Sequence, residues 1–157
     1  MPDKTAQRLQ LQEYLPYRLS VTANAASRLI ARAYEVQFGL TIPQWRLMAV
    51  LGDEGALTQQ ALCGRTLMDK VTVMRAAQGL TRRRLVRRQP NAQDGRSHRL
   101  KLSASGQALY GRIIPLARAF EAQLLAGMKA SDVSLLQRLL RQVEATALTL
   151  TEKVQPP

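Results

Sequence analysis

Cys63 and His98 are the only cysteine and the only histidine in the chain. A thiol and an imidazole can together make a nucleophile and its base, although a small packed thiol and a surface imidazole are the ordinary fate of such residues. One cysteine excludes an intrachain disulfide framework and a cysteine-rich zinc site. There is no phosphate-binding glycine loop, no metal triad and no carboxylate pair in a recognisable setting. The sequence therefore points to neither an enzyme nor a protein with a metal or other cofactor. What it offers in quantity is cationic side chains. Arg65, Lys70, Arg75, Arg82, Arg83, Arg84, Arg87, Arg88, Arg96, Arg99 and Lys101 lie in one stretch, faced within it only by Asp69 and Asp94. Solvated charge runs normally mix both signs. Uncompensated cations repel one another until a polyanion neutralises them.

The whole chain repeats that imbalance, with 23 Lys and Arg against 11 Asp and Glu and a net charge of +12. Nucleic acid is the first partner this suggests, and an anionic membrane surface the second. A membrane partner calls for a long apolar run or a basic amphipathic helix rich in bulky aromatics, and aromatics are only 4% of the residues. The opening MPDKTAQRLQLQEYL has neither the apolar stretch nor the cleavage site of a signal peptide, so a cytoplasmic protein without membrane contact is expected. With 46% hydrophobic and 22% charged residues over 157 positions, the chain has the composition of one globular domain, residues 1–157, with its own core.

The elements that must position the charge follow from periodicity. Leu19, Thr22, Ala26, Leu29 or Ile30, and Ala33 recur at helical steps between Leu15 and Phe38, and Gly39 ends that helix. Thr41-Ile-Pro-Gln44 can cap a second helix carrying Trp45, Met48, Ala49 and Leu51, which stops at Gly52-Asp-Glu-Gly55. Thr58 can cap a short third helix to about Thr66. Asp69 stands before VTVMRAAQGLTRRRL, where its carboxylate suits the amides and the dipole of a fourth. Two short helices joined by so few residues must cross steeply, as in a helix-turn-helix. After Leu85 the period changes to two, predicting a hairpin of residues 85–89 and 98–102 around the loop that holds Asp94-Gly95. Ser103 or Ser105 can cap a fifth helix with the stripe Leu109, Ile113, Leu116, Phe120 and Leu124, in which Pro115 predicts a kink. Ser131 opens a sixth helix whose leucine arc, with the first helix, is a dimer surface or else core. The tail, residues 155–157, is expected to fray.

Placed on these elements, the start of the fourth helix presents Lys70, Val71, Thr72 and Arg75. A helix fits the major groove, where Thr and Arg address base edges or phosphates and valine can touch a thymine methyl. Thr58 and Gln59 can bind phosphate at the third helix start, a role compatible with capping by Thr58. A hairpin loop beside a groove-bound helix can bring Arg96 to the minor groove. Asp94 either holds that guanidinium or turns the loop by accepting amides, and Gly95 is expected to give the sharp turn between them. His98, at the start of the return strand, needs no special role.

The run LTQQALCGRTLMDKVTVMRAAQGLTRRRLVRRQPNAQDGRSHRLKLSASGQAL resembles the DNA-binding core of the MarR family of bacterial regulators. The marks are Leu-Thr-Gln opening the third helix, Asp-Lys-x-Thr-Val-x-Arg at 69–75, Leu-Val-Arg-Arg at 85–88, Asp-x-Arg at 94–96 and Leu-Ser-x-x-Gly at 102–106, preceded by Leu-Thr-Ile-Pro-Gln-Trp at 40–45. The likeness extends over residues 15–150 or so. It implies a mainly α fold with a small β-hairpin wing, a dimeric winged helix-turn-helix of six helices and triangular outline. The DNA-binding part would be 41–102, and the dimerisation part 10–40 and 103–150. It also implies control of nearby genes through a pseudo-palindrome and, as in many members, release from DNA by a small, often aromatic, carboxylic ligand. By position, Lys70, Thr72, Arg75, Asp94 and Arg96 contact or organise the DNA; Thr58, Gln59 and Val73 complete the expected set. Arg84 stands where the family often has glycine, and Thr66-Leu67 replaces the usual Leu-Gly of the helix-helix turn. Cys63 lies in the third helix rather than near the N-terminus, which disfavours peroxide sensing.

Arg28, Arg32, Tyr34, Trp45 and Arg46 are the residues expected to line a site for an anionic aromatic effector, either an aromatic carboxylate or an acyl-coenzyme A. The competing assignment makes Trp45 core and the arginines solvated surface. Among function classes, a ligand-responsive DNA-binding repressor and homodimer is expected. A structural RNA-binding protein shares the charge but would call for more stacking aromatics and an RNA motif.

Overall fold

A computed structural model describes residues 9–154, so the tail expected to fray lies outside the described residues. Among these, six helices and three strands follow in the order α1 (Leu15–Phe38), α2 (Ile42–Glu54), β1 (Leu57–Thr58), α3 (Gln59–Thr66), α4 (Lys70–Arg82), β2 (Val86–Pro90), β3 (His98–Leu102), α5 (Ala104–Leu124) and α6 (Ala130–Val154). The chain forms two compact units that divide between Ala117 and Arg118.

Local chemistry sets the helix ends. Gly39 takes the left-handed conformation (φ 61°) that closes α1, a backbone state open to glycine without a Cβ penalty. Thr41 and Gln44 form a reciprocal capping box at α2: the Thr41 hydroxyl accepts from the Gln44 amide and the Gln44 side chain accepts from the Thr41 amide. Thr58 accepts from the Ala61 amide at 3.1 Å and so caps α3. Ser103, rather than Ser105, caps α5: its hydroxyl accepts from the Gly106 amide at 3.0 Å. Both serine hydroxyls also donate to the Arg84 carbonyl. That junction is so close that a Cβ on Gly106 would overlap the Leu85 carbonyl oxygen, which explains the Leu-Ser-x-x-Gly spacing. Pro115 sits inside α5, and the helix runs through it.

The first unit owns the core. Leu47, Met48 and Leu51 of α2, Leu62 of α3, Val73 and Leu80 of α4, Leu100 of β3 and Ile113 of α5 are all at most 1–2% exposed. Of the alternatives on α1, Ile30 packs against this core, whereas Leu29 is exposed. The expected hairpin forms, its first strand one residue later than 85–89, with Val86 opposite Leu102 and Arg88 opposite Leu100. Its inward positions Val86, Leu100 and Leu102 are buried, while Arg87 faces outward, as alternation on a half-buried sheet requires. The third strand was not expected. β1 adds to the far side of β3 through Leu57 and Thr58, and two residues are too few to show a period.

The recognition-like helix α4 also stops earlier than its apolar run suggests. Leu85 and Val86 must both enter the core, so the chain reverses after Arg82: Arg84 turns left-handed (φ 58°), and the Leu85 amide returns to the Leu80 carbonyl at 2.9 Å. Arg83 is drawn into structure as well. Its guanidinium donates to the carbonyls of Gly39 (2.7 Å) and Phe38 (2.8 Å), satisfying the end of α1 where the helix dipole is negative.

The second unit contains the last residues of α5 and all of α6. On α6, Leu135, Leu136, Leu139, Leu140, Val143 and Leu148 are each 38–46% exposed.

Because a left-handed arginine carries strain of about 1–2 kcal/mol that glycine does not, Arg84→Gly is expected to raise stability by up to about 1 kcal/mol after the entropy cost of glycine is deducted. Urea unfolding of the two proteins checks this; a lower midpoint for the variant would show that the arginine side chain contributes more than its backbone conformation costs.

Candidate nucleic-acid interface

One face of α4 is fixed by the core. Val73, Ala76, Ala77 and Leu80 are 0–5% exposed and recur at helical spacing, so the opposite face must point outward. That face carries Val71, Arg75, Gln78 and Arg82, all exposed. The expectation that Val73 contacts DNA is corrected: it is fully buried, lying on the same stripe as Ala76, Ala77 and Leu80. Val71 is the exposed valine of this turn, at 50%. Gln78 was missed, although its place three residues after Arg75 on the exposed row could have revealed it.

The first turn is organised by Asp69. One carboxylate oxygen accepts from the Thr72 amide at 2.9 Å and the other from the Thr72 hydroxyl at 2.6 Å. The hydroxyl contact, followed by the amide contact, holds the Asp69 carboxyl below the ordinary carboxylate range. Lys70 and Arg75 are exposed beside this pair, and Thr72 is half-buried. In the turn before it, Leu67 takes the left-handed conformation (φ 53°) that a glycine would adopt freely. The departure from Leu-Gly thus puts the strain of a left-handed position on a leucine.

The wing loop shows which role Asp94 takes. Its carboxylate accepts from the Arg96 amide at 3.0 Å, and its carbonyl accepts from the Ser97 amide. Asn91 braces the loop base through Ser97 at 2.8 Å. Asp94 therefore turns the loop, and the Arg96 side chain is left exposed at its tip. Gly95 does not supply the special turn expected of it: among the described residues the positive-φ glycines are Gly39 and Gly55, and a Cβ at Gly95 would meet open space.

Between the start of α3 and the wing lies a cleft of about 500 Å³ lined by Thr58, Gln59, Arg88, Asn91, Asp94 and His98, among others. It brings the expected phosphate contacts Thr58 and Gln59 together with a guanidinium. Thr58 uses an oxygen lone pair for its cap, which leaves its O–H able to donate to an acceptor such as phosphate.

Two of the eleven cations singled out from the sequence belong elsewhere. Arg65 pairs with Glu54 of α2 at 2.8 Å, a partner too distant in sequence to be anticipated, and Arg83 clamps α1. Lys70, Arg75, Arg82, Arg87, Arg88 and Arg96 remain exposed.

The expected effector residues do not form one site. Tyr34 is only 1% exposed, its ring 5.0 Å from Trp45 and 6.3 Å from Phe38. Burial pushes its phenol above the ordinary pKa. Trp45 in turn stacks on Tyr110 at 6.1 Å. These aromatics tie α1, α2 and α5 together, so Tyr34 is corrected from ligand contact to core. Arg28 and Arg46 both line one cleft of about 430 Å³, with Asn24 and Ser27; Arg32 is exposed on α1 and is not part of that lining. Cys63 is half-buried against the core.

The sequence profile of the MarR family matches residues 38–97. The chain is 28% identical over 107 residues to the transcriptional regulator HosA of Escherichia coli, covering 68% of this chain and 79% of HosA. It is 30% identical over 104 residues to the HTH-type transcriptional repressor NicR of Pseudomonas putida, covering 66% of each. Its fold is similar to that of a MarR family transcriptional regulator from Silicibacter pomeroyi, with a TM-score of 0.76 and 28% identity, over 89% of this chain and 99% of that one.

A group whose folded pKa is depressed adds stability above its unfolded value, and that contribution fades as the pH falls through the folded one. Asp69 is such a group. The stability gap between the wild type and Asp69→Ala is therefore expected to be present near neutrality and to shrink in strong acid, measured by urea unfolding at both. A gap that widens on acidification contradicts this account of the cap.

Proposed function

Because the chain belongs to the MarR family of transcriptional regulators, we propose that it works as a homodimeric repressor that grips a pseudo-palindromic operator and lets go when an anionic aromatic effector binds. The observation that carries the DNA reading is the exposed row Val71, Arg75, Gln78 and Arg82, held outward by a buried opposite face. Such a row suits the major groove. The Arg96 tip suits the flanking minor groove, whose negative potential attracts guanidinium, and the Thr58, Gln59 and Arg88 cleft suits the intervening phosphates. The leucine row left exposed on α6 supports pairing of two copies, and residues 10–40 and 103–150 are the segments we assign to it. Two-fold pairing places two recognition helices on half-sites about one helical turn apart.

For the effector we infer the cleft of Arg28 and Arg46 on α1 and α2. Two guanidiniums beside Asn24 and Ser27 suit a carboxylate, and the open mouth leaves room for an aromatic acid or its coenzyme A thioester.

In mobility shifts with the DNA flanking its own gene, affinity is expected to fall steeply with salt, by roughly one power of salt concentration per phosphate neutralised. On the bound duplex, Arg75→Ala is expected to cost about 1–3 kcal/mol and to relax preference at one base pair, whereas Arg96→Ala weakens binding chiefly on sites with a narrow minor groove. Equal losses on every duplex from both variants would reduce the two residues to phosphate contacts. Preference for structured RNA over duplex DNA would replace this reading with the RNA-binding one.

A second measurement addresses the effector. A panel of benzoic and pyridinecarboxylic acids is expected to include one that dissociates the wild-type complex, while the Arg28→Ala, Arg46→Ala double variant holds DNA at the same acid concentration. Dissociation of both proteins at one concentration would remove the effector from this cleft.

A further inference from the structure

One threonine stands at the start of each helix of the helix-turn-helix, Thr58 before α3 and Thr72 in the first turn of α4, and their hydroxyls are committed in opposite senses. Thr58 Oγ1 accepts from the Ala61 amide, so its hydrogen is available to a phosphate. Thr72 Oγ1 donates to Asp69 Oδ2 at 2.6 Å while the Thr72 amide donates to Asp69 Oδ1. An ionised carboxylate only accepts, and Asp69 is held in that form by the same contacts. The hydroxyl proton of Thr72 is therefore spent inside the protein. What Thr72 still presents is oxygen lone pairs and a methyl group, in the first turn of α4 between exposed Lys70 and exposed Arg75.

From this geometry, and resting on the DNA reading above, we propose that Thr72 is a specificity-determining residue that accepts a hydrogen bond from an exocyclic amino group, adenine N6 or cytosine N4, in the major groove. Phosphate oxygens, guanine O6 and N7 and thymine O4 are acceptors, and the Thr72 oxygen has no proton left for them. The carboxylate behind it strengthens the bias, since its charge repels acceptor atoms and favours an amino group. Asp69 thus acts as a positioning residue: it fixes both the rotamer of Thr72 and the direction of its O–H. Arg75, which can only donate, reads acceptor-rich guanine on the same helix, so the two side chains cover complementary halves of the base-edge code.

The test begins with selection of binding sites from a random duplex pool by the wild type and by Thr72→Val, which keeps the shape and loses the oxygen. The wild type is expected to enrich a half-site containing one base pair whose preference Thr72→Val loses, with the other positions unchanged. At that pair, adenine is then replaced by purine, or cytosine by 4-deaminated pyrimidin-2-one, deleting only the amino group. Deletion is expected to weaken wild-type binding roughly three- to tenfold, the range of one hydrogen bond, and to leave Thr72→Val binding unaltered. Asp69→Asn keeps a capping oxygen but can donate to the Thr72 oxygen, freeing its proton; it is expected to tolerate the amino deletion as Thr72→Val does. An amino deletion that costs the wild type nothing, or costs wild type and Thr72→Val equally, overturns the assignment while leaving DNA binding intact. Enrichment of no sequence at all by the wild type would instead overturn the DNA reading and this inference with it.

Discussion

The buried stripe of α4 is the constraint on which everything else rests. Val73, Ala76, Ala77 and Leu80 must leave water, and the surfaces that receive them belong to the same core as α2, α3 and β3. Once that stripe is turned inward, the helix has no rotational freedom left, and its polar row is presented in one orientation. Small residues at 76, 77 and 79 bring the axis close to its neighbours; at Gly79 the Gln44 side chain occupies the space a Cβ would need. The same burial sets where the helix must stop, because Leu85 and Val86 belong to the core too and can reach it only if the chain reverses.

Charge is the second organising quantity, and it is apportioned by position rather than by residue type. Three successive arginines have three fates. Arg82 is exposed in the last turn of α4, Arg83 is a fork on the end of another helix, and Arg84 bends the backbone and lends its carbonyl to two serines. Farther away, Glu54 meets Arg65. These contacts concentrate the unsatisfied positive charge on the front of α4, the strands and the wing tip, which is a better-defined surface than the stretch of sequence alone suggested. The exposed ion pair itself is worth little to stability; its effect is to neutralise one cation of the basic stretch.

Most of the fold was legible in the chain because the signals were local. Helix starts at Thr41, Thr58 and Asp69 and the stop at Gly39 depend on side chains within three residues, and the hairpin depends on a two-residue alternation. What escaped was set by distant partners or by pieces too short to have a period: the two-residue β1, the Arg83 fork, and the early end of α4. In the site, the lesson is similar. Val73 and Val71 are chemically identical, and only the phase of the buried stripe tells which one meets solvent. Tyr34 and Trp45 have the chemistry of ligand contacts, but the aromatic neighbours that enclose them come from α1 and α5. Gly95 illustrates the opposite error, since a residue able to adopt unusual backbone angles here adopts none.

The fork from Arg83 has a mechanical meaning. A single hydrogen bond fixes a distance and still permits swivelling; two from one rigid plane to adjacent carbonyls also resist twist. The rear of α4 is thereby strutted to the tail of α1, while its front is held by its own cap. Tilting α1 would load that rear attachment, and because the buried stripe and the outward row share one helix, the load would work against both together.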